Sequence, residues 1–282
     1  AHAVLLSGPR GTGKTTVARI LAKCLNCAEG PTPAPCGSCR SCREITTGNA
    51  ADVFEIDGAS NNKVENVRDL RENAKYMPAH SPHKIYIIDE VHMLSDAAFN
   101  ALLKILEEPP AHVLFMFATT EPNKIPITIL SRCQRYDFRR VAVDAITAHM
   151  AGICRQERID FAESALALIA READGSIRDG LSLLDQIVTC SSEAITEDQI
   201  IDILGIIDRK IIFDAADALF AGDMAALLAI CDRLYRQGRP LQRFYTEMIV
   251  HFRNLLVIKM AKDTKSLSDV PAREKELMVR QV

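Results

Sequence analysis

A short apolar run at residues 4–6 leads directly into Gly8-Pro9-Arg10-Gly11-Thr12-Gly13-Lys14-Thr15, and a stretch with helical apolar spacing follows. This order matches G-x-x-x-x-G-K-[ST] in the strand-then-helix setting that gives the pattern its meaning. Three glycines within six residues interrupt any regular element, so the segment reads as a tight loop with a helix beginning at about Gly13. Such a loop offers convergent backbone N–H groups without Cβ obstruction, which suits phosphate oxygens. Lys14 can reach the terminal phosphates and the Thr15 hydroxyl can ligate Mg²⁺, so the candidate nucleotide segment runs from Gly8 through Thr16. A loop of this kind also constrains the fold, because the strand before it belongs to a parallel sheet with helices on both faces.

The first half of the chain fits that demand. Near-continuous apolar runs recur at residues 53–56, 85–88 and 113–118, with a fifth candidate strand at 134–138. The intervals are long enough for crossover helices, one of them at 96–108 and stopped by Pro109-Pro110. Beyond Val141 the strand signals end. Asp144 can cap a helix reaching about Arg158, a second helix spans about 162–173, and Ser176 starts a third. Further apolar-periodic segments at 209–221, 224–237 and 240–262 are separated by Gly222-Asp223 and Gly238-Arg239-Pro240. The expected organisation is an α/β parallel-sheet domain at 1–141, a small helical domain at 142–204 and a second helical domain at 205–282. Ala1 is not an initiator methionine and the first strand begins almost at once, so the chain reads as an excised fragment lacking its natural start, and its second helical domain reads as cut before its natural end.

Charge points to no partner by itself. Lys and Arg number 17 against 15 Asp and Glu up to residue 140, and 17 against 22 after it, so neither half has the basic excess of a nucleic-acid-binding surface. No apolar run approaches the roughly 18 residues that span a bilayer, so no membrane association is expected. Five of the nine cysteines crowd into residues 24–42, which favours a metal in a reducing compartment over a disulfide framework.

Several residues carry candidate chemistry. Ile85-Tyr86-Ile87-Ile88-Asp89-Glu90 is an apolar strand ending in two carboxylates at the edge where parallel sheets bind ligands. Strand alternation would point the two side chains apart, leaving Asp89 for the Mg²⁺ shell and Glu90 to polarise an attacking water. Thr120, at the end of 115–120, reads either as an ordinary strand terminus or as a contact to the γ-phosphate. Cys36, Cys39 and Cys42 supply three thiolates of a closed, structural Zn²⁺ site. Cys24 continues the apolar series Val17, Ile20, Leu21 and is expected to pack inward, whereas Cys27 can turn outward, which favours Cys27 as the fourth ligand. The remaining Cys133, Cys154, Cys190 and Cys231 are expected to be small buried residues. Arg132 reads as a solvated or ion-paired side chain or as a guanidinium for a neighbour's phosphate. Arg178, in the first turn after Ser176, opposes the helix dipole unless a polyanion is near.

Taken in order, GPRGTGKT, the C-x8-C-x2-C-x2-C insertion, YIIDEVHMLS, NALLKILEEPP, FATTEPNKIPITILSRCQRYDF and ADGSIRDGLSLLDQ are similar to the bacterial DNA polymerase III tau/gamma family. These are AAA+ ATPases of the sliding-clamp loader, and the resemblance spans about residues 3–204, weakening in the final helices. It implies an AAA+ P-loop domain with a zinc insertion at about 27–42, a helical lid and part of a helical collar. It further implies that Thr120 is the first sensor, Arg178 the second, and Arg132 the finger offered to the adjacent subunit's ATP. The implied activity is ATP hydrolysis coupled to loading of the sliding clamp on primed DNA. The implied setting is the cytoplasmic replisome, within a hetero-pentamer that uses ATP, Mg²⁺ and Zn²⁺. The segment around Asn61-Asn62-Lys63 is the candidate DNA contact. The family's adenine-holding segment precedes the loop, whereas this chain starts seven residues before Gly8. The rival readings are a scaffold subunit without turnover and another AAA+ DNA-remodelling ATPase.

Overall fold

The computed structural model describes residues 2–62, 64–190, 195–205, 209–261 and 272–282. They form two units, Ala1–Ile153 with Ile169–Leu184, and Cys154–Leu168 with Asp185–Val282.

The first unit is built on β1 (Ala3–Ser7), α1 (Lys14–Asn26), α2 (Arg40–Thr47), β2 (Val53–Asp57), α3 (Val64–Ala74) and β3 (Lys84–Asp89). It continues through α4 (Asp96–Glu107), β4 (Val113–Thr119), α5 (Ile127–Leu130) and β5 (Gln134–Asp137). The strands pair in the order β2-β3-β4-β1-β5, every pair parallel. The α/β parallel sheet expected from the apolar runs is therefore the observed one. Register sets Ser7 beside both Thr119 and Asp137, and Asp57 beside Asp89, so the polar strand ends share one edge.

Alternation along the central strands assigns each apolar residue to one of two layers. Ile85, Ile87, Leu6 and Met116 pack with Ala18 and Ala22 of α1 and Ile45 of α2. Tyr86, Ile88, Phe115 and Phe117 pack on the other face with Val67 and Leu70 of α3 and Phe99, Leu102, Ile105 and Leu106 of α4. Across that second face Phe54, Tyr86, Phe115 and Phe117 stack in a row, with centroids 5.1, 5.4 and 5.9 Å apart. At about 25 cal/mol per Å² of apolar surface, each such ring contributes several kcal/mol of burial, so the sheet is a rigid base for its edges.

Helix ends follow local chemistry. The Ser95 side chain accepts the Ala98 N–H to start α4, and Cys39 does the same for Cys42 at the start of α2, a helix the cysteine spacing had not announced. Beyond the sheet come α6 (Val143–Glu157), α7 (Glu163–Glu172) and α8 (Ile177–Cys190). Asp144 does not cap α6. The first helical carbonyl is that of Ala142, bonded by Ala145 and Ile146, which puts Asp144 inside the first turn, where its charge still complements the dipole. Ser176 does begin α8, its Oγ accepting the Asp179 N–H at 3.1 Å.

In the second unit α9 (Glu197–Leu204), α10 (Arg209–Ala221), α11 (Met224–Arg236), α12 (Leu241–Ala261) and α13 (Ala272–Gln281) are described. Ile212, Ala215, Ala216, Leu234, Phe244 and Met248 form one small core, and Leu255, Ile258 and Met278 another. Leu241, Tyr245, Ile249, Leu256 and Met260 of α12 are exposed. No described helix is long and apolar enough to cross a membrane.

Candidate nucleotide site and cysteine cluster

The loop after β1 is shaped by its glycines. Gly8, Gly11 and Gly13 have φ of 141°, 72° and 91°, a region that side chains oppose, and a Cβ on Gly8 or Gly11 would run into the Phe138 carbonyl oxygen or the Ser176 Oγ. The Thr12 hydroxyl closes the turn by donating to the Pro9 carbonyl at 2.9 Å. Helix α1 starts at Lys14 with Gly13 as its cap, one residue later than the spacing suggested. The Lys14 ammonium is buried and donates to the carbonyls of Gly8 at 2.9 Å and Pro9 at 2.8 Å. Burial pushes its pKa below the ordinary lysine value, against the pull of Glu90 and Asp89. Thr15 Oγ1 donates to Asp89 Oδ2 at 2.7 Å, so a hydroxyl and a carboxylate meet, the hard oxygen donors that suit Mg²⁺. Thr16 is exposed one position further along α1.

Asp89 and Glu90 do diverge, for a reason other than strand alternation. Asp89 ends β3, while Glu90 already lies in a left-handed turn with φ 44° and ψ 46°, which re-aims its side chain towards the end of β4. There its Oε2 accepts Thr120 Oγ1 at 3.0 Å and the Thr120 amide at 3.3 Å. Thr120 thus stands beside the carboxylate at the sheet edge. Sequence reasoning passed over His92, a buried imidazole whose Nδ1 is 3.0 Å from Thr119 Oγ1 and 3.3 Å from Glu90 Oε2. The available signal was its place as the one polar residue in Val91-His92-Met93-Leu94, just past the acidic strand end.

The two arginines separate. The start of α8 meets the phosphate loop, the Ile177 and Arg178 amides facing the Gly11 carbonyl at 3.0 and 3.5 Å, and Arg10 lies 3.8 Å from Asp179. Arg178 is therefore brought to the loop. Arg132 precedes β5, and Gln134 pairs with Val4 at the far end of β1 from Gly8. Three strand steps, about 10 Å, lie between Gln134 and the residue beside Ser7. Its guanidinium donates to Glu107 Oε1 at 3.0 Å and to the Thr128 carbonyl at 2.8 Å.

The cysteines resolve in favour of one set. The Sγ atoms of Cys27, Cys36, Cys39 and Cys42 all lie within 4.8 Å of one another, while Cys24 Sγ faces the Pro33 carbonyl at 4.0 Å. Cys27 is the buried one and Cys24 is partly exposed, the reverse of the packing that the apolar series suggested, because the chain turns back over Cys27 at the end of α1. A tetrahedral site with Zn–S bonds of about 2.3 Å has edges of about 3.8 Å, so this grouping fits the ion without rearrangement of the fold. Backbone amides aim at the sulfurs: Cys36 N to Cys27 Sγ at 3.5 Å, Cys39 N to Cys36 Sγ at 3.3 Å and Cys42 N to Cys39 Sγ at 3.4 Å. The amide of Cys39 draws the Cys36 thiol down to about 6, while burial pushes Cys42 up to about 12. Of the other cysteines, Cys154 is buried as expected, Cys133 and Cys231 partly so, and Cys190, near the end of an exposed helix face, is exposed.

A parallel sheet with a glycine loop after one strand and an acidic end on another is the architecture of AAA+ P-loop proteins. The solved Holliday junction branch migration motor RuvB of Thermotoga maritima shares it with a TM-score of 0.53 over 77% of this chain and 68% of that one; at 18% identity this likeness concerns the fold. The chain belongs to the DNA polymerase III gamma/tau family. Its residues 1–142 match the model for DNA polymerase III, delta subunit; 145–193 match the clamp loader subunit ATPase lid domain, and 195–280 match gamma and tau domain III. DNA polymerase III subunit tau of Bacillus subtilis is 46% identical over 93% of this chain and 46% of its own length. DNA polymerase III subunit gamma of Buchnera aphidicola is 43% identical over 88% of this chain and 69% of its own. The chain spans about half the length of the first of these relatives.

Proposed function

We propose that the chain is the ATP-hydrolysing part of a bacterial clamp-loader subunit, which couples ATP binding and hydrolysis to loading a sliding clamp on primed DNA. The observation that carries the reading is the convergence of Lys14, the Thr15–Asp89 pair and the Thr120–Glu90 pair at one edge of the sheet. A scaffold without turnover has no use for Glu90 held in that way. Bound Mg-ATP supplies the phosphoanhydride to be split and neutralises its charge. The amides of the loop Gly8, Pro9, Arg10, Gly11, Thr12 and Gly13 would face the phosphates, with Lys14 exchanging its two carbonyl partners for phosphate oxygens. Thr15 and Asp89 would hold Mg²⁺, and Thr16 would close the segment. Glu90 would take the proton of the attacking water, with Thr120 as first sensor and Arg178 as second. Arg132 would act in trans on the neighbouring subunit's nucleotide.

The same reading gives Cys27, Cys36, Cys39 and Cys42 one structural Zn²⁺, and divides the chain into an ATPase domain at 1–141, a lid at 142–204 and a partial collar at 205–282. The exposed apolar row on α12 suits assembly with other subunits in a hetero-pentamer. Asn61 and Asn62 remain the candidate DNA contact, while Lys63 lies outside the described residues. The setting is cytoplasmic, at the replisome. The test is to measure nucleotide binding and turnover separately in the assembled complex. Lys14→Ala should abolish productive binding, whereas Glu90→Gln should keep binding and lower turnover by about 10²-fold or more. Equal loss of binding in both variants would defeat these roles.

A further inference from the structure

His92 lies outside the roles above, yet its ring is enclosed among polar groups of the same sheet edge. The short turn Val91–Met93 sends Val91 into the core, leaves Met93 exposed and folds His92 back against the end of β4. Its side chain is 6% exposed, and a polar ring so buried requires partners. Nδ1 meets both Thr119 Oγ1 and Glu90 Oε2, while Nε2 faces Glu121 Oε1 at 3.5 Å. The far side is itself anchored. The Glu121 amide donates to Thr119 Oγ1 at 3.0 Å, and its carboxylate accepts from Lys124 Nζ at 2.9 Å. The ring orientation is therefore fixed by the end of β4 and the turn after it, not by Glu90.

That is what a group must have if it is to place another. Glu90 sits in a left-handed conformation that a non-glycine residue rarely adopts, and it keeps that conformation only if its surroundings over-determine it. Two donors converge on Oε2, the Thr120 hydroxyl and the Thr120 amide, and the enclosed His92 Nδ1 stands 3.3 Å from the same oxygen. We infer that His92 is a positioning residue for Glu90, holding the carboxylate in its turned-back orientation with Thr119 and Glu121 as the fixed anchors. The inference rests on the reading of Glu90 as the group that activates water. Removing the imidazole leaves the phosphate contacts of Lys14 and Thr15 untouched, so the loss should fall on kcat and spare nucleotide affinity.

The experiment uses the full-length subunit in its assembled loader, with clamp and primed DNA present. His92→Ala should lower kcat about tenfold, with KM and the ATP Kd within about twofold of the unmodified protein. His92→Asn places an amide N–H near the position of Nδ1 and should recover kcat to within about threefold. His92→Gln, whose amide falls near Nε2, should not recover it. Glu90→Gln with His92→Ala should be no slower than Glu90→Gln alone, because both lesions act on one group. Unmodified turnover in Glu90→Gln would sink the reading of Glu90 itself. Slow turnover in Glu90→Gln beside normal kcat in His92→Ala would overturn the role of His92 alone. Should the alanine variant fold poorly, equal kcat in the Asn and Gln variants would overturn it as well.

Discussion

Replacing Arg132 by alanine should damage a site that the mutated subunit does not contain. Arg132 stands at the start of β5 and the phosphate loop follows the end of β1, so the parallel register sets them at opposite edges of one sheet. Strand length alone puts about 10 Å between those edges, before the loop and the two residues ahead of β5 are counted. In its own chain the Arg132 guanidinium turns to Glu107 and the Thr128 carbonyl. Two contacts restrain it: a hydrogen bond to the Thr128 carbonyl at 2.8 Å, and an ion pair with Glu107 whose side chains are 33% and 53% exposed, worth about 0.2–1 kcal/mol at such a surface. Released to a neighbour's terminal phosphate, a guanidinium can account for about 10³–10⁵ in rate. Arg132→Ala should therefore leave its own subunit's ATP Kd within about twofold and slow hydrolysis at the adjacent subunit by at least about 10²-fold. Glu107→Gln should change stability by no more than the pair's own worth, and raise neighbour turnover by no more than about fivefold. The assay is single-turnover hydrolysis in loaders carrying Arg132→Ala at one defined position and Lys14→Ala at the neighbour it faces. Both lesions on one joint should be little worse than either alone. Multiplying losses, or weakened ATP binding by the Arg132→Ala subunit itself, would return Arg132 to an ordinary ion-paired surface residue.

Metal analysis of purified protein should find about one Zn²⁺ per chain, kept in Cys24→Ser and lost in Cys27→Ser or Cys39→Ser; loss in Cys24→Ser with retention in Cys27→Ser would reverse the ligand set. Chelation of that metal should raise hydrogen exchange across the insertion far more than it changes ATP affinity, and a matching collapse of ATP binding would contradict a structural role. Asp52 is buried, and its carboxylate accepts the amides of Ala79, His80 and Ser81 at 2.6, 2.9 and 2.8 Å. Burial raises its pKa, but these three bonds outweigh it and hold the group below the usual carboxylate range. Its stabilisation should be full above the unfolded value of about 4 and fade as pH falls through the lower folded value. Asp52→Ala should then cost about 2–3 kcal/mol in denaturant melts at pH 7, and the gap to the unmodified protein should narrow below about pH 4. A gap independent of pH would show that the carboxylate charge is irrelevant.

What was legible in the sequence was local. The glycines at 8, 11 and 13 announce a loop because three of them within six residues disfavour a regular element, and the observed positive φ values use the freedom they supply. Asp89 and Glu90 were legible as a pair, but the turn that separates them was not, since nothing in Glu90-Val91 marks a left-handed residue. The apolar series predicts an outward Cys27 and an inward Cys24, and the structure inverts that packing: a helical apolar stripe tells which face a residue occupies, not whether a returning loop covers it. Asp52 is not legible because its partners are 27 to 29 residues on, and His92 because Thr119 is 27 residues on and the turn that brings the ring beside Glu90 leaves no mark in the sequence. Periodicity reports the side a residue faces, and only the crossovers decide what meets it there.

Strand polarity explains why the proposed finger and the phosphate loop belong to different joints. Every strand pair is parallel, so each crossover returns the chain to the same starting edge, and residues just after strands gather opposite residues just before them. Lys14, Asp89, Glu90 and Thr120 all follow strands or end them, while Arg132 precedes one and rests on Glu107, which itself precedes β4. On the proposed role of Arg132, the phosphate-loop edge accepts and the opposite edge donates, so a second subunit would be needed to close the gap. The expected outcome is that a chain kept apart from its partners hydrolyses ATP slowly, with Arg132 still on Glu107.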